Sequence, residues 1–438
     1  MLQGKQAEIQ KKYGTTAFMY TEYPHKRFWS KGYVHYFDGI DKKAPKMLYV
    51  HIPYCQQLCY FCTCHIEITQ NYNKVKDYMQ LLYKEIELLV PHSFNIKEIH
   101  LGGGSPTILD KDEFDELIVH LRRLTNIKEL DEFSIEIDPR RVSPAEMIHF
   151  AEAGINRISF GVQDFDIDVQ DKINRYQPAK LIEDLLVPEL REQFSNGVNF
   201  DIICGLPKQT PQTMKDTMEE VVKLAPDRIC LNYLHYSPEM AKHQILMGKL
   251  PDFAERKELF IVALNILTKN GYVRTGYDHF ALPTDANAVA TTTGKVGWNS
   301  LGTNPGRVSD TIGIGVSSIS SVGNSYYQNF YEVKDYADAL SIGKLPIFRG
   351  HNLTHNDTTR RTIIQSLRNH FRADAKYSEI FRKEFDALKE FEEDGIVVVE
   401  GTKIDIVVPE YANLVCRVFD KYYTGEKDAP DLGERDAE

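Results

Sequence analysis

Four of the chain's seven cysteines, Cys55, Cys59, Cys62 and Cys64, fall within ten positions of the stretch YVHIPYCQQLCYFCTCH (49–65). Cys55, Cys59 and Cys62 have the spacing C-x3-C-x2-C, directly after an apolar run that reads as a strand. Three thiolates on one short loop suit three irons of a [4Fe–4S] cluster and leave the fourth iron open to an exogenous ligand. The alternative is a zinc knuckle, which generally takes four ligands, often as two pairs from separate loops. Cys64, one residue beyond the neighbour of Cys62, has poor reach toward the same metal. Cys204, Cys230 and Cys416 lie in apolar surroundings and read as small core residues. An odd, clustered set of cysteines does not fit a disulfide framework and points to metal or redox chemistry in a reducing compartment.

The elements that must position this loop follow a βα rhythm. Apolar or β-branched runs at 47–52, 97–102, 132–138, 157–163, 200–206 and 228–234 predict buried strands. Helical patterns at 75–89, 111–124, 143–154, 181–194 and 213–225 lie between them. Within the third, Ser143 and Glu146 form a capping box, Pro144 fits the first turn and Gly154 closes the end. Such repeats predict a parallel sheet wound by helices: an α/β fold, an incomplete (β/α)6 TIM-like barrel with its functional loops at the strand C-terminal ends. The expected division is an N-terminal arm over 1–45, the barrel over 46–338 and a small C-terminal α+β domain over 339–425. That domain should hold helices at 359–371, 381–395 and 411–423 and a hairpin at 396–408; the tail 426–438 has almost no apolar content and is expected to be disordered.

Composition narrows the setting. With 438 residues, 42% of them hydrophobic, a sizeable core is available, and a net charge of −11 argues against general nucleic-acid binding while leaving room for a local basic pocket. The N-terminus lacks a signal-peptide core, and no run approaches the roughly 20 apolar residues of a membrane span. A cytoplasmic location is expected.

The cysteine spacing resembles that of the radical S-adenosylmethionine (SAM) superfamily. The segments YVHIPYCQQLCYFCTCH, LGGGSPT, SIEIDPR, GINRISFGVQDF, INRYQ, DIICGLPKQT, YDHFA and GIGVSSIS are similar, in order, to the oxygen-independent coproporphyrinogen III oxidase family. The resemblance spans nearly the whole chain. It implies that SAM chelates the open iron and that Gly103, Gly104 and Ser105 contact its methionine part. It further implies that Glu136 partners the SAM amino group, that Gln163, Arg175 and Asp201 add contacts, and that Tyr49 and His51 stand near cluster and SAM as candidate catalytic groups. A second SAM beside the first is implied at Ile203, Leu234 and Ile314.

In that family a segment like 20–37 lies over the active site. Lys26 or Arg27 would then meet a substrate carboxylate while Tyr20, Tyr23 or Trp29 cover a flat ring; the alternative is an arm packed on the barrel. The chain departs from the family at AVATTTGKVGWNSLGTNPGRVSD, with Thr291 where a Gln is usual, so the substrate wall is altered. GIGVSSIS lacks the spacing of a dinucleotide loop. The implied activity is decarboxylation of tetrapyrrole propionates to vinyl groups, with a flavodoxin- or ferredoxin-like reductant as partner. The alternatives are a methyltransferase or cyclopropanase using the second SAM on another conjugated substrate, and a haem-binding carrier without catalysis.

Overall fold

Six parallel strands form the centre of the fold: β1 (Lys46–Ile52), β2 (Ile96–Gly103), β3 (Glu132–Ile137), β4 (Arg157–Gln163), β5 (Val198–Cys204) and β6 (Arg228–Tyr233). They pair in chain order, each with the next. The computed structural model describes residues 9, 12–13, 23–35, 37–299, 301–308, 310–376 and 380–423. In β1, Leu48, Val50 and Ile52 join the main core, and strand alternation turns Tyr49 and His51 to the opposite, concave face. The expected incomplete barrel is present.

The sheet does not stop at six strands. β7 (Asp310–Ile314) lies parallel to β1, and β8 (Ile319–Val322), β9 (Ser325–Asn329) and β10 (Ile347–Asn352) continue antiparallel from it. Ser30–Lys31 pairs with β10 at that edge, and His279–Ala281 and Val273–Arg274 follow β6 at the other, which brings the sheet to thirteen strands among the described residues. Because β10 pairs with β9, the large sheet runs past the expected boundary at 338/339, and the separate C-terminal unit begins after Asn352.

Local signals explain the helices. α1 (Tyr72–Leu89) starts at Asn71, whose side chain caps Asn73 N–H, and α2 (Lys111–Leu121) at Asp110. α3 (Pro144–Ala153) has the Ser143–Glu146 capping box and ends at Gly154 with φ 111°. The helix expected over 181–194 is instead two, Ala179–Leu185 and Pro188–Arg191, because Pro188 has no N–H to continue the first. α4 (Pro211–Leu224) and α5 (Phe253–Lys269) complete the set around the sheet that matters here. None of the helices among the described residues is long and apolar enough to cross a membrane.

The C-terminal unit has its own core, including Leu367, Phe381, Leu388, Ile396, Ile404 and Phe419. It contains α6 (His355–His370), a helix at Arg382–Glu393, the expected hairpin as Val397–Glu400 and Lys403–Ile406, and a last helix that ends at Val418, short of the expected 423. Arg372–Asp374 adds a third strand to the hairpin. The described part of the N-terminal arm packs on the sheet and on the C-terminal unit. Trp29 stacks on Tyr326 with centroids 5.3 Å apart, and the Tyr23 hydroxyl donates to Asp357 Oδ1 at 3.0 Å. Tyr20 and the tail 426–438 lie outside the described residues.

Candidate active site

The cysteine loop leaves β1 at the C-terminal end of the sheet and is held from several sides. Asn174 Nδ2 donates to Leu58 O at 2.8 Å, and Tyr60 N–H to Ile173 O at 2.9 Å. His243 Nε2 lies 2.7 Å from Cys62 O, and Gln244 Nε2 donates to Phe61 O at 2.9 Å. Cys55, Cys59, Cys62 and Cys64 are all free thiols lining one cavity of about 680 Å³. Two guanidiniums reach Cys59 Sγ, that of Arg175 at 3.5 Å and that of Arg140 at 3.8 Å. Cationic donors aimed at a sulfur suit an anionic thiolate cluster. Among the described residues no three of His, Cys, Asp or Glu converge on a single ion. Three thiolates of one loop facing one cavity fit three irons of a cluster and leave the fourth iron open.

The strand ends supply the remaining wall. Gly103, Gly104, Ser105, Glu136, Gln163, Arg175, Asp201, Ile203 and Leu234 line the same cavity. The glycines serve a close approach within the chain: a Cβ on Gly104 would meet Tyr54 O at 2.7 Å, and one on Gly103, at φ +112°, would meet His51 Nδ1 at 2.6 Å. Gly103 N–H in turn donates to Glu136 Oε2 at 3.3 Å. Burial opposes charge on Glu136, but His100, 3.1 Å from Oε1, and Gly103 N–H hold the carboxyl below its usual range. Asp201 goes the other way, raised by burial and by Glu136, while Ser159 and Asn199 bond its oxygens. Arg175 is not a free fork: it also donates to Gly161 O at 2.7 Å and to Gln177 Oε1 at 3.0 Å.

Three expected residues sit elsewhere. Tyr49 and His51 form the floor beside Glu136 and do not line the cavity. His51 Nε2 is 3.0 Å from His65 O, which can only accept, so Nδ1 takes the Tyr49 hydroxyl proton at 3.0 Å. Burial lowers His51 to about 4 and raises Tyr49 well above its ordinary value, so both stay neutral near pH 7. Ile314 is 1% exposed in the main core and does not line the cavity. Thr291 Oγ1 turns back onto Asn287 O at 2.8 Å in its own helix.

Several wall residues carry no local signal. Asp138 and Arg140, bonded through Nη2 and Oδ2 at 2.7 Å, stand within SIEIDPR, where only Glu136 draws notice. His235 lines the cavity, with Nε2 lacking a hydrogen-bond partner among the described residues. Arg368 and Asn413 reach the cavity from the C-terminal unit, and Asp278, within the motif YDHFA, from the far edge of the sheet.

Comparison with known proteins agrees with this geometry. The Radical SAM superfamily model matches residues 49–221. The chain is 34% identical to an oxygen-independent coproporphyrinogen III oxidase of Pseudomonas aeruginosa over 95% of each chain, and 34% identical to that of Escherichia coli over 94% of each. A solved structure described as the coproporphyrinogen III oxidase HemN from Escherichia coli, a radical SAM enzyme, superposes with a TM-score of 0.87 at 33% identity, covering 92% of this chain and 97% of that one. The chain belongs to the oxygen-independent coproporphyrinogen III oxidase family of radical SAM proteins.

Proposed function

We propose that the protein decarboxylates propionate side chains of coproporphyrinogen III to vinyl groups. One observation carries this reading: the three cysteines of the loop and the acids and amides of four strand ends meet in a single cavity at the C-terminal end of the sheet. When bound, a [4Fe–4S] cluster with SAM on its open iron supplies the electron that splits SAM into methionine and a 5′-deoxyadenosyl radical able to take hydrogen from a propionate carbon.

The chain's residues orient and isolate that chemistry. Cys55, Cys59 and Cys62 would hold three irons. Glu136, kept ionised, accepts from the SAM ammonium, and Gln163 and Asp201 add polar contacts. Arg175, held on Gly161 and Gln177, would support the cluster side through Cys59 and add positive charge for the SAM carboxylate. Ile203 and Leu234 give an apolar wall suited to a second SAM or to the substrate ring. Neutral Tyr49 and His51 set the floor without exchanging protons.

The arm adds positive charge near His235, which lines the cavity. His25 is lowered to about 4 by burial and then by Lys26, Arg27, Arg349 and His235, which places those groups together around the arm. Lys26 and Arg349 have no carboxylate partner among the described residues; Arg349 bonds Gln328 Oε1 and the Tyr331 hydroxyl. Cations without a carboxylate partner are suited to receive propionates. A flavodoxin- or ferredoxin-like protein would supply the electron, and a cytoplasmic setting would keep the cluster reduced.

The test is anaerobic reaction of reconstituted protein with SAM, reductant, an electron acceptor and coproporphyrinogen III. The expected product has lost two carboxyl groups and two further hydrogens, one 5′-deoxyadenosine forming per vinyl group. A heavier product carrying the SAM methyl label would replace this reading with methyl transfer. Haem binding with neither SAM cleavage nor product would replace it with carriage.

A further inference from the structure

A second cavity, of about 500 Å³, adjoins the first and shares Arg368 with it. It lies between the concave face of β7 to β9, represented by Thr311, Ser321 and Tyr326, and helix α6. Arg361, Gln365 and Arg368 line it from α6. Positions i, i+4 and i+7 share one helix face, so the two guanidinium stems are about 10 Å apart along the axis. The opposite wall comes from Gly297–Asn299, inside the segment that departs from the family pattern, and includes the half-buried ring of Trp298.

The charges of this cavity are unbalanced. Asp310, its only lining acid among the described residues, is taken by Lys46, 2.8 Å from the buried ammonium. Arg361 has no carboxylate partner among the described residues; it reaches Gly323 O at 3.2 Å and the Tyr326 hydroxyl at 3.5 Å, with Cζ 5.8 Å from the centroid of that ring. Arg368 lies with Cζ 4.6 Å from the Trp298 ring centroid and Nη2 3.7 Å from Asp278, between the two cavities. A partly enclosed guanidinium without a counter-ion, on the same helix face as a second, is suited to a carboxylate bound through two N–H groups.

We infer that this second cavity is a carboxylate-binding annex: Arg361, with Gln365 beside it, holds a propionate of the tetrapyrrole that is not reacting, while Arg368 and Trp298 border its passage from the SAM cavity. The inference rests on the proposed function and adds to it the residues that fix the register of a substrate with four propionates. It also gives the altered segment a role, as the annex wall.

The test uses cluster-loaded protein. Coproporphyrin III binding is titrated by porphyrin fluorescence without reductant, against coproporphyrin III tetramethyl ester as the uncharged probe, and coproporphyrinogen III turnover is measured anaerobically. Arg361→Gln should weaken binding of the free acid about ten- to a hundredfold and raise KM in step, with kcat within about twofold. Binding of the ester should be weak and equal in both proteins. Gln365→Glu, nearly isosteric and placed to pair with Arg361, should lower affinity for the acid in the same way and guards against a folding defect in the first variant. Wild-type turnover with unchanged acid binding in both variants would overturn the annex and leave the proposed function standing. Wild-type protein that neither binds coproporphyrin III nor converts coproporphyrinogen III would overturn the proposed function, and the annex with it.

Discussion

Cys64 and Cys59 are both cavity residues, but their surroundings separate them. Cys59 is buried and takes two guanidinium contacts, whereas Cys64 is exposed on the cavity side and is raised chiefly by its hydrogen bond with Cys62 and by the charge of that thiol. Cys59→Ala should therefore lose the cluster, and Cys64→Ala should keep about four irons after anaerobic reconstitution. Iron and sulfide analysis decides: loss in Cys64→Ala as complete as in Cys59→Ala would make it a ligand. Arg140 calls for a different measurement. Its guanidinium is fixed on Asp138 and directed at Cys59, so Arg140→Gln removes a positive charge beside the cluster and leaves Asp138 less compensated. Reduction adds negative charge, so the midpoint potential should fall, on the order of tens of millivolts. A redox titration showing no change, or a rise, would remove Arg140 from that role.

Elements differ in how much of themselves they show in sequence. The six parallel strands are legible because strands covered on both faces read as apolar runs, and α3 is legible from Ser143, Glu146 and Gly154 alone. β7 to β9 are not: Gly313, Gly315 and a run of serines dilute their pattern, and their place depends on partners distant in the chain. Gly315 N–H, for example, donates to Glu85 on α1, 230 positions away. The site divides in the same way. Glu136, Gln163, Arg175 and Asp201 stand in ordered motifs, while Arg368 and Asn413 reach the cavity only through packing of the C-terminal unit.

Glu85 is also testable at this scale. It ties α1 to the sheet through Gly315 N–H, Asn329 and the Tyr336 hydroxyl, and burial raises its carboxyl to about 7 despite those bonds. An acid raised on folding binds more protons folded than unfolded, so its stabilising contribution is full below the ordinary carboxylate value and is lost as pH rises through about 7. Glu85→Gln removes this dependence. The stability of wild type relative to the variant should fall between acidic pH and pH 8 by up to roughly 3 kcal/mol. Parallel denaturant midpoints at the two pH values check it, and a constant difference would refute it.

At the scale of the whole molecule, the C-terminal unit borders both cavities, because α6 brings Arg368 to the first and Arg361 and Arg368 to the second. The helix is seated by Asp357. This fully buried carboxylate completes a capping box with Thr354, accepts from Tyr23 of the N-terminal arm, and pairs with Lys421 at 2.7 Å. Burial works against its charge, but Lys421, Thr354 and Tyr23 together hold it well below the usual carboxylate range. Its contribution is therefore present above the ordinary carboxylate value and lost only in strong acid. Asp357→Ala removes a cap and leaves Lys421 and Tyr23 without their acceptor, at a cost of roughly 2–4 kcal/mol. The cysteine loop and its anchors belong to the barrel, so iron content and SAM cleavage without substrate should persist. The arginines of α6 would lose their placement, so KM for coproporphyrinogen III should rise and the melting temperature fall by several degrees. Equal loss of iron and of substrate affinity would instead show that barrel and C-terminal unit fail as one, and that α6 has no separate hold on the substrate.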